Sequence, residues 1–130
     1  MEVLYPRCAG LDVHKKTVVA CRVRPGAQGQ PERETQTFGT ITREILRLGD
    51  WLAAWQVTHV VMESTGEYWR PVYNLLEGQF SLLLANPQHV RQVPGRKTDV
   101  GDAQWLAELL RHGLVAGSFV PHQAQRDLRA

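Results

Sequence analysis

Four carboxylates stand where acids are either costly or aimed. Asp12 interrupts the apolar run CAGLDV, and Glu63 closes the apolar run HVVM just before Ser64-Thr65-Gly66. Asp99 and Asp102 open the longer run DVGDAQWLAELLRHG. An acid within an apolar strand is expensive unless it is paired, bound to a metal or at the strand's open end. Asp99 and Asp102 lie three apart, a step that shares one face of a helix. That face continues as Ala103, Leu106 and Leu110, the stripe expected to pack on the rest of the protein. Carboxylates gathered at one place repel unless a counter-charge is supplied. Mg²⁺ or Mn²⁺ supplies it, because hard cations prefer oxygen ligands. Two such ions ~3.5–4 Å apart clamp the attacking and leaving oxygens of a phosphoryl transfer.

Each acid taken singly has a plainer reading. Asp99 and Asp102 complement the dipole at a helix N-terminus. Glu63 caps the turn made by Ser64-Thr65-Gly66, and Ser64 itself is a turn or capping residue. Asp12 is the least comfortable as structure alone. The metal reading gains weight only if the fold delivers all four to one spot.

The elements that must do so follow from periodicity. CAGLDV (Cys8 to Val13) and the β-branched TVVACRV (Thr17 to Val23) read as two strands joined by the polar turn His14-Lys15-Lys16. Arg33 to Gly39 is expected as a third strand after a Gly- and Pro-bearing loop. Ile41, Ile45, Leu48, Leu52 and Trp55 recur at steps of four and three, which predicts an amphipathic helix over Thr40 to Trp55. His59 to Met62 reads as a strand ended by Glu63 and broken at Gly66. Glu67 to Glu77 reads as a helix with Pro71 in its first turn. Phe80 to Ala85 is a buried strand, and Asn86-Pro87 opens a short helix. Thr98 is the expected N-cap of a helix from Asp99 to His112, ended by Gly113. Helix-separated strands join a sheet in parallel, so the fold class is α/β: a mixed sheet flanked by helices. If the strand of Asp12 lies beside that of Glu63, these two acids meet, and a helix packed on the sheet brings Asp102 and Asp99 toward them.

Composition allows this. One hundred and thirty residues suit a single domain with a real core, and 43% hydrophobic with 22% charged residues is the balance of a globular protein. A net charge of +2 permits nucleic-acid binding without demanding it. Arg outnumbers Lys, and its planar fork suits phosphate; biased base composition of a gene produces the same excess. Cys8 and Cys21 form no CxxC pair and read as buried thiols. The scattered histidines argue against a zinc site. No stretch resembles a secretion signal or a membrane span, which points to a cytoplasmic protein without a membrane partner.

The motifs GLDVHKK, VVMESTGEYW and GRKTDVGDAQWLAELLRHG, in this order, resemble the N-terminal DEDD domain of the insertion-sequence "one-ten" transposases, the bridge-RNA-guided recombinases. The resemblance runs from about Cys8 to Arg129. It implies an RNase H-like (RuvC-like) fold and a transposase or recombinase activity in a bacterial or archaeal cell, at the nucleoid. It further implies Asp12, Glu63, Asp99 and Asp102 as catalytic and metal-binding residues, Mg²⁺ or Mn²⁺ as cofactor, and DNA and a guide (bridge) RNA as partners, with homo-oligomerisation in the full-length protein. The family's attacking serine lies in a C-terminal domain, so no serine of this chain takes that role. The expected division is a RuvC-like domain over 1–117 and the start of a helical connection over 118–130. A stand-alone metal-dependent nuclease and a non-catalytic nucleic-acid-binding fragment are the rival readings.

Basic and aromatic groups flank the acids. Lys15 and Lys16 follow Asp12, and Arg91, Arg96 and Lys97 precede Asp99. They are candidate phosphate contacts, with solvated loop charge as the alternative. Tyr68 and Trp69 follow ESTGE as candidates for stacking on a base or for helix packing. His14 touches a phosphate, orients a ligand or is a plain turn residue. Trp51, Trp55 and Trp105 are expected in the core or at a domain interface.

Overall fold

The computed structural model describes residues 2–85 and 101–115, and the backbone of 117–118. Strands β1 (Cys8–Val13) and β2 (Thr17–Pro25) form a hairpin, its turn closed by the His14 N–H donating to the Thr17 carbonyl at 2.8 Å. A short 3-10 turn leads to β3 (Pro31–Gly39), antiparallel to β2. Helix α1 (Thr42–Ala54) carries the chain to β4 (His59–Ser64), which pairs with β1 in parallel. Helix α2 (Trp69–Leu76) then leads to β5 (Ser81–Ala85), parallel to β4. Helix α3 (Asp102–Arg111) precedes a two-residue strand β6 (Gly117–Ser118), antiparallel to β5. The sheet order is β3-β2-β1-β4-β5-β6, a mixed sheet as expected.

Alternation along the central strands divides the core in two. Ala9, Leu11 and Val13 of β1 join Val60 and Met62 of β4 against Ile45, Leu48 and Leu52 of α1 and Val72 and Leu76 of α2. On the other face Cys8, Cys21 and Val61 meet Ala103, Leu106, Ala107 and Leu110 of α3. Both thiols are buried and unpaired, as their apolar surroundings predicted. Trp55 is buried, while Trp51 and Trp105 pack against the two cores in partly buried positions. The central strands thus read as nearly continuous apolar runs because helices cover both of their faces.

Gly10 sits directly beneath α3. A Cβ there would lie 2.6 Å from the Ala107 amide nitrogen and 2.8 Å from the Leu106 Cβ, and would also overlap the Ala103 carbonyl. Only glycine lets β1 and the helix backbone come this close.

Several boundaries differ from expectation, the start of α2 at Trp69 and not Glu67 among them. β2 runs on to Pro25 and β3 starts at Pro31; the two prolines face each other at the end of the ladder, where β3 is an edge strand and tolerates them. α1 begins at Thr42, with Ile41 extended as its N-cap, and the Glu44 carboxylate accepts the Gly39 N–H at 3.1 Å. The most consequential correction concerns α3. It starts at Asp102, not Asp99, and its N-cap is Gly101 with φ −63° and ψ 154°, not Thr98. Glycine is a poor helix interior residue, costing about 1 kcal/mol relative to alanine, and here it takes extended backbone instead. Asp102 thus opens the helix, and Asp99 lies outside the described residues. At the other end, Gly113 terminates the helix with φ +70°, as predicted. No described helix is long and apolar enough to cross a membrane.

Candidate functional site

The parallel register of β1 and β4 sets Asp12 opposite Glu63. Residues in register on neighbouring parallel strands point to the same face. Asp12 shares parity with Cys8 and Gly10, and Glu63 with Val61, so both carboxylates belong to the α3 side. Both are partly buried, and they lie at the C-terminal ends of their strands, where the apolar ladder gives way to loops. This is the adjacency expected from the strand order, and it explains how an acid survives within CAGLDV: its strand is about to end.

Asp12 has a protein partner already. His14 Nε2 lies 3.0 Å from Asp12 Oδ2; the Asp12 side chain is 18% exposed and that of His14 46%. His14 lies just past the end of β1, in the turn that follows, two residues from Asp12.

Helix α3 runs antiparallel to β1. The Cys8 thiol donates to the Ala107 carbonyl at 3.6 Å, and Gly10, two residues on, faces Ala103 and Ala107. Advancing along β1 toward Asp12 therefore means receding toward the start of α3. Asp102, the first residue of that helix, sits at the same end of the sheet as Asp12 and Glu63, and is exposed. Among the described residues, however, no group of three or more His, Cys, Asp or Glu is close enough to hold a metal ion. Asp99 lies outside the described residues, as do Arg91, Arg96 and Lys97. The structure thus sets Asp12 in register with Glu63 and places His14 against Asp12, and brings Asp102 only to the same end.

Two loops border the acids. Lys15 and Lys16 are exposed in the β1–β2 turn, and among the described residues neither has an ion-pair partner. The Thr40 hydroxyl donates to the Lys15 carbonyl at 3.0 Å and ties this turn to the start of α1. After β4, the Thr65 N–H donates to the Val13 carbonyl at 3.3 Å, and the Ser64 hydroxyl donates to the Thr65 carbonyl at 3.0 Å. Tyr68 is 42% exposed beside this turn. Trp69 instead packs edge-on against Tyr73, with ring centroids 5.9 Å apart, and is covered by Arg70. Of the two aromatics, then, Tyr68 is the exposed one and Trp69 serves the helix.

Several other described cations are engaged elsewhere. Arg22 is buried between the rings of Trp51 and Trp55 and pairs with Glu34 at 2.7 Å. Arg24 pairs with Glu32 and Arg47 with Glu44. The Arg47 guanidinium and the Gly39 N–H hold the Glu44 carboxyl down to about 2. Glu108 gathers Arg33, Arg111 and His112 at 2.6, 3.1 and 3.0 Å, far along α3 from the acids. Sequence reasoning missed the contact of His14 with Asp12, although their i, i+2 spacing was its signal. A cleft of about 400 Å³ between Tyr5, His59, Ser81 and Leu110 lies at the opposite end of the sheet, where β4 and β5 begin.

Comparison with known proteins bears on this arrangement. A family model described as a transposase, of the DEDD IS110 type, matches residues 9–130. Among solved structures, RuvC of T. thermophilus in complex with a Holliday junction substrate is similar with a TM-score of 0.55 and 13% identity. A second Thermus thermophilus RuvC structure has a TM-score of 0.57 and 12% identity. In each case the similarity covers 86% of this chain and 99% of the other. The fold is therefore RNase H-like. No curated protein matches the sequence.

Proposed function

Since the chain belongs to the DEDD transposase family of the IS110 type, we propose that it is a transposase domain that acts on DNA through a divalent-metal site built on Asp12 and Glu63. The observation that carries this reading is their register: two carboxylates on adjacent parallel strands, at the ends of those strands, on one face of an RNase H-like sheet. The donor set fits a hard cation in kind, since both groups offer oxygen. It falls short in number among the described residues, and Asp102 and Asp99 are proposed to complete it.

Mg²⁺ or Mn²⁺ bound there would place positive charge against a scissile phosphate and a nucleophile. The residues of this chain do the rest. Asp12 and Glu63 are held by the ladder of β1 and β4, so their carboxylates need little reorganisation. His14 occupies one oxygen of Asp12. Lys15 and Lys16, with Arg96 and Lys97 by proposal, meet backbone phosphates on the rim, and Tyr68 offers a ring for stacking on an unpaired base. One RuvC neighbour is described with a Holliday junction substrate. Transferred to this chain, that favours branched DNA as the substrate class, and it supports stand-alone nuclease activity as a second reading. Guide-RNA binding and assembly with further copies rest on the resemblance of GLDVHKK and GRKTDVGDA alone.

The test combines calorimetric titration with Mn²⁺ and a cleavage assay on labelled branched, duplex and single-stranded DNA. The proposal expects Mn²⁺ binding that Asp12→Asn and Glu63→Gln each abolish, and DNA binding that both variants retain. Mn²⁺ binding indifferent to both substitutions would overturn the metal site. Metal-dependent cleavage by the chain without any added partner would favour the nuclease reading over the transposase one.

A further inference from the structure

The cleft of about 400 Å³ where β4 and β5 begin plays no part in the acid site. One wall is the N-terminal segment. The Leu4 and Tyr5 N–H groups donate to the Arg111 carbonyl at 2.9 and 3.1 Å, and the Tyr5 ring sits against that of His59, centroids 4.1 Å apart. Leu110 lines the cleft from α3 and Leu83 lines it from β5. Leu83 packs with the core beneath α3, whereas Leu82 and Leu84 pack with the core on the other face. β6 meets β5 at its far end. Gly117 pairs with Ala85 and Ser118 with Leu84, so the described backbone ends while heading along β5 toward Leu83.

We infer that this cleft is a docking site for the chain's own next residues: the β6 ladder continues in the same register, and the Phe119 ring fills the cleft. Each step along an antiparallel ladder advances one residue on both strands, and directly opposed residues share a face. Continued from Ser118 opposite Leu84, the register sets Phe119 opposite Leu83 and Val120 opposite Leu82. Phe119 thus falls on the face of Leu83 and the cleft, and Val120 on the face of Leu82. The residue types suit these places. Aromatic and β-branched residues favour strands, and a buried aromatic side chain covers about 150–250 Å². Pro121 comes opposite Ser81, the first residue of β5, where the ladder ends and an edge position tolerates proline. The wall is also uncharged near neutrality, since burial holds the His59 imidazole below its ordinary value. The residues after Pro121 then start from the end of the sheet opposite Asp12 and Glu63.

The test uses the whole chain, with leucine methyl groups labelled with ¹³C. Nuclear Overhauser contacts are expected from the Phe119 ring to the methyl groups of Leu83 and Leu110, and none from Val120 to Leu110. This readout is taken on the wild type, so it stands even where a variant folds poorly. Absence of the Phe119 contacts, or Val120 in their place, overturns the inference. A sample mixing labelled and unlabelled copies separates the source of the ring. Contacts within one copy support the inference; contacts only between copies mean that a second copy's strand fills the cleft, and overturn it. Thermal melts give the second readout. Phe119→Ala should lower the melting temperature, Phe119→Leu should recover part of the loss, and Val120→Ala should cost less than Phe119→Ala. A wild-type melting temperature in Phe119→Ala overturns the inference as well.

Discussion

Asp12 and Glu63 are direct register partners across the parallel pair β1–β4, and both face α3. Two negative charges on adjacent strands repel each other. Glu63→Gln should therefore melt at the same or a slightly higher temperature than the wild type when metal is chelated. In contrast, saturating Mn²⁺ should raise the wild-type melting temperature and not that of the variant. At a hundred times its dissociation constant a cation stabilises the folded state by about 2.7 kcal/mol. Equal upward shifts in both proteins would exclude Glu63 as a ligand.

Gly10 is where the site's framework is tightest. Gly10→Ala forces a methyl group against the α3 backbone at Ala103 and Ala107. Overpacking of this kind costs about 1–3 kcal/mol, and against backbone the upper part of that range applies. Chemical denaturation should show the loss. Any Mn²⁺ affinity that depends on Asp102 should fall as well, since the helix carrying it must move away from β1.

Lys15 and Lys16 predict a salt dependence. Each phosphate contact contributes about 0.9 to the slope of log affinity against log salt concentration on duplex DNA. Replacing both lysines with alanine should flatten the slope by about 1.8 on that basis. A titration of DNA binding between low and moderate salt measures it, and an unaltered slope would return these lysines to solvent.

Burial pushes the Cys8 thiol up to about 12, with Cys21 close by adding to the rise. Burial also raises Cys21. Neither thiol should react with iodoacetamide in the native state at pH 8, and both should react in denaturant. The sign for stability follows. A folded state that keeps these protons binds more of them than the unfolded chain once pH exceeds the unfolded thiol value, about 8.5. Stability is then fully present below that pH and declines as pH rises toward the folded value. Cys8→Ala/Cys21→Ala should lack this alkaline decline.

Glu108 shows the opposite sign. Burial pushes its carboxyl up, but Arg33, His112 and Arg111 together hold it below the ordinary value. A depressed carboxylate contributes stability that is present above the unfolded value, about 4.3, and is lost as pH falls through the lower folded value. Glu108→Gln should cost about 1–2 kcal/mol near neutrality, the worth of a partly exposed charged hydrogen-bond cluster. Denaturation curves for variant and wild type should converge on acidification.

Much of the molecule is legible in local pattern. The Ile45, Leu48 and Leu52 stripe declares α1, the β-branched TVVACRV declares β2, and Gly113 marks the end of α3. These signals survive because they record a period, and a period depends only on which face of one element is buried. Even Asp12 and Glu63 stand out as acids at the ends of apolar runs. The start of α3 was less legible. Asp99 and Asp102 keep helical spacing in the text, but Gly101 between them is extended, and spacing alone does not reveal where helical backbone begins.

The sequence by itself determined the alternation of strands and helices, the burial of Cys8 and Cys21, and the candidacy of the acids. It also determined membership in the transposase family, through motifs that span most of the chain. Tertiary structure alone decided that β1 pairs with β4 in the register that sets Asp12 against Glu63, that α3 runs antiparallel to β1 over Gly10, and that His14 turns back onto Asp12. Register between strands distant in the chain depends on how both faces of the sheet are filled at once by α1, α2 and α3. A slip of one residue would exchange the two cores and send Asp12 and Glu63 to the wrong face.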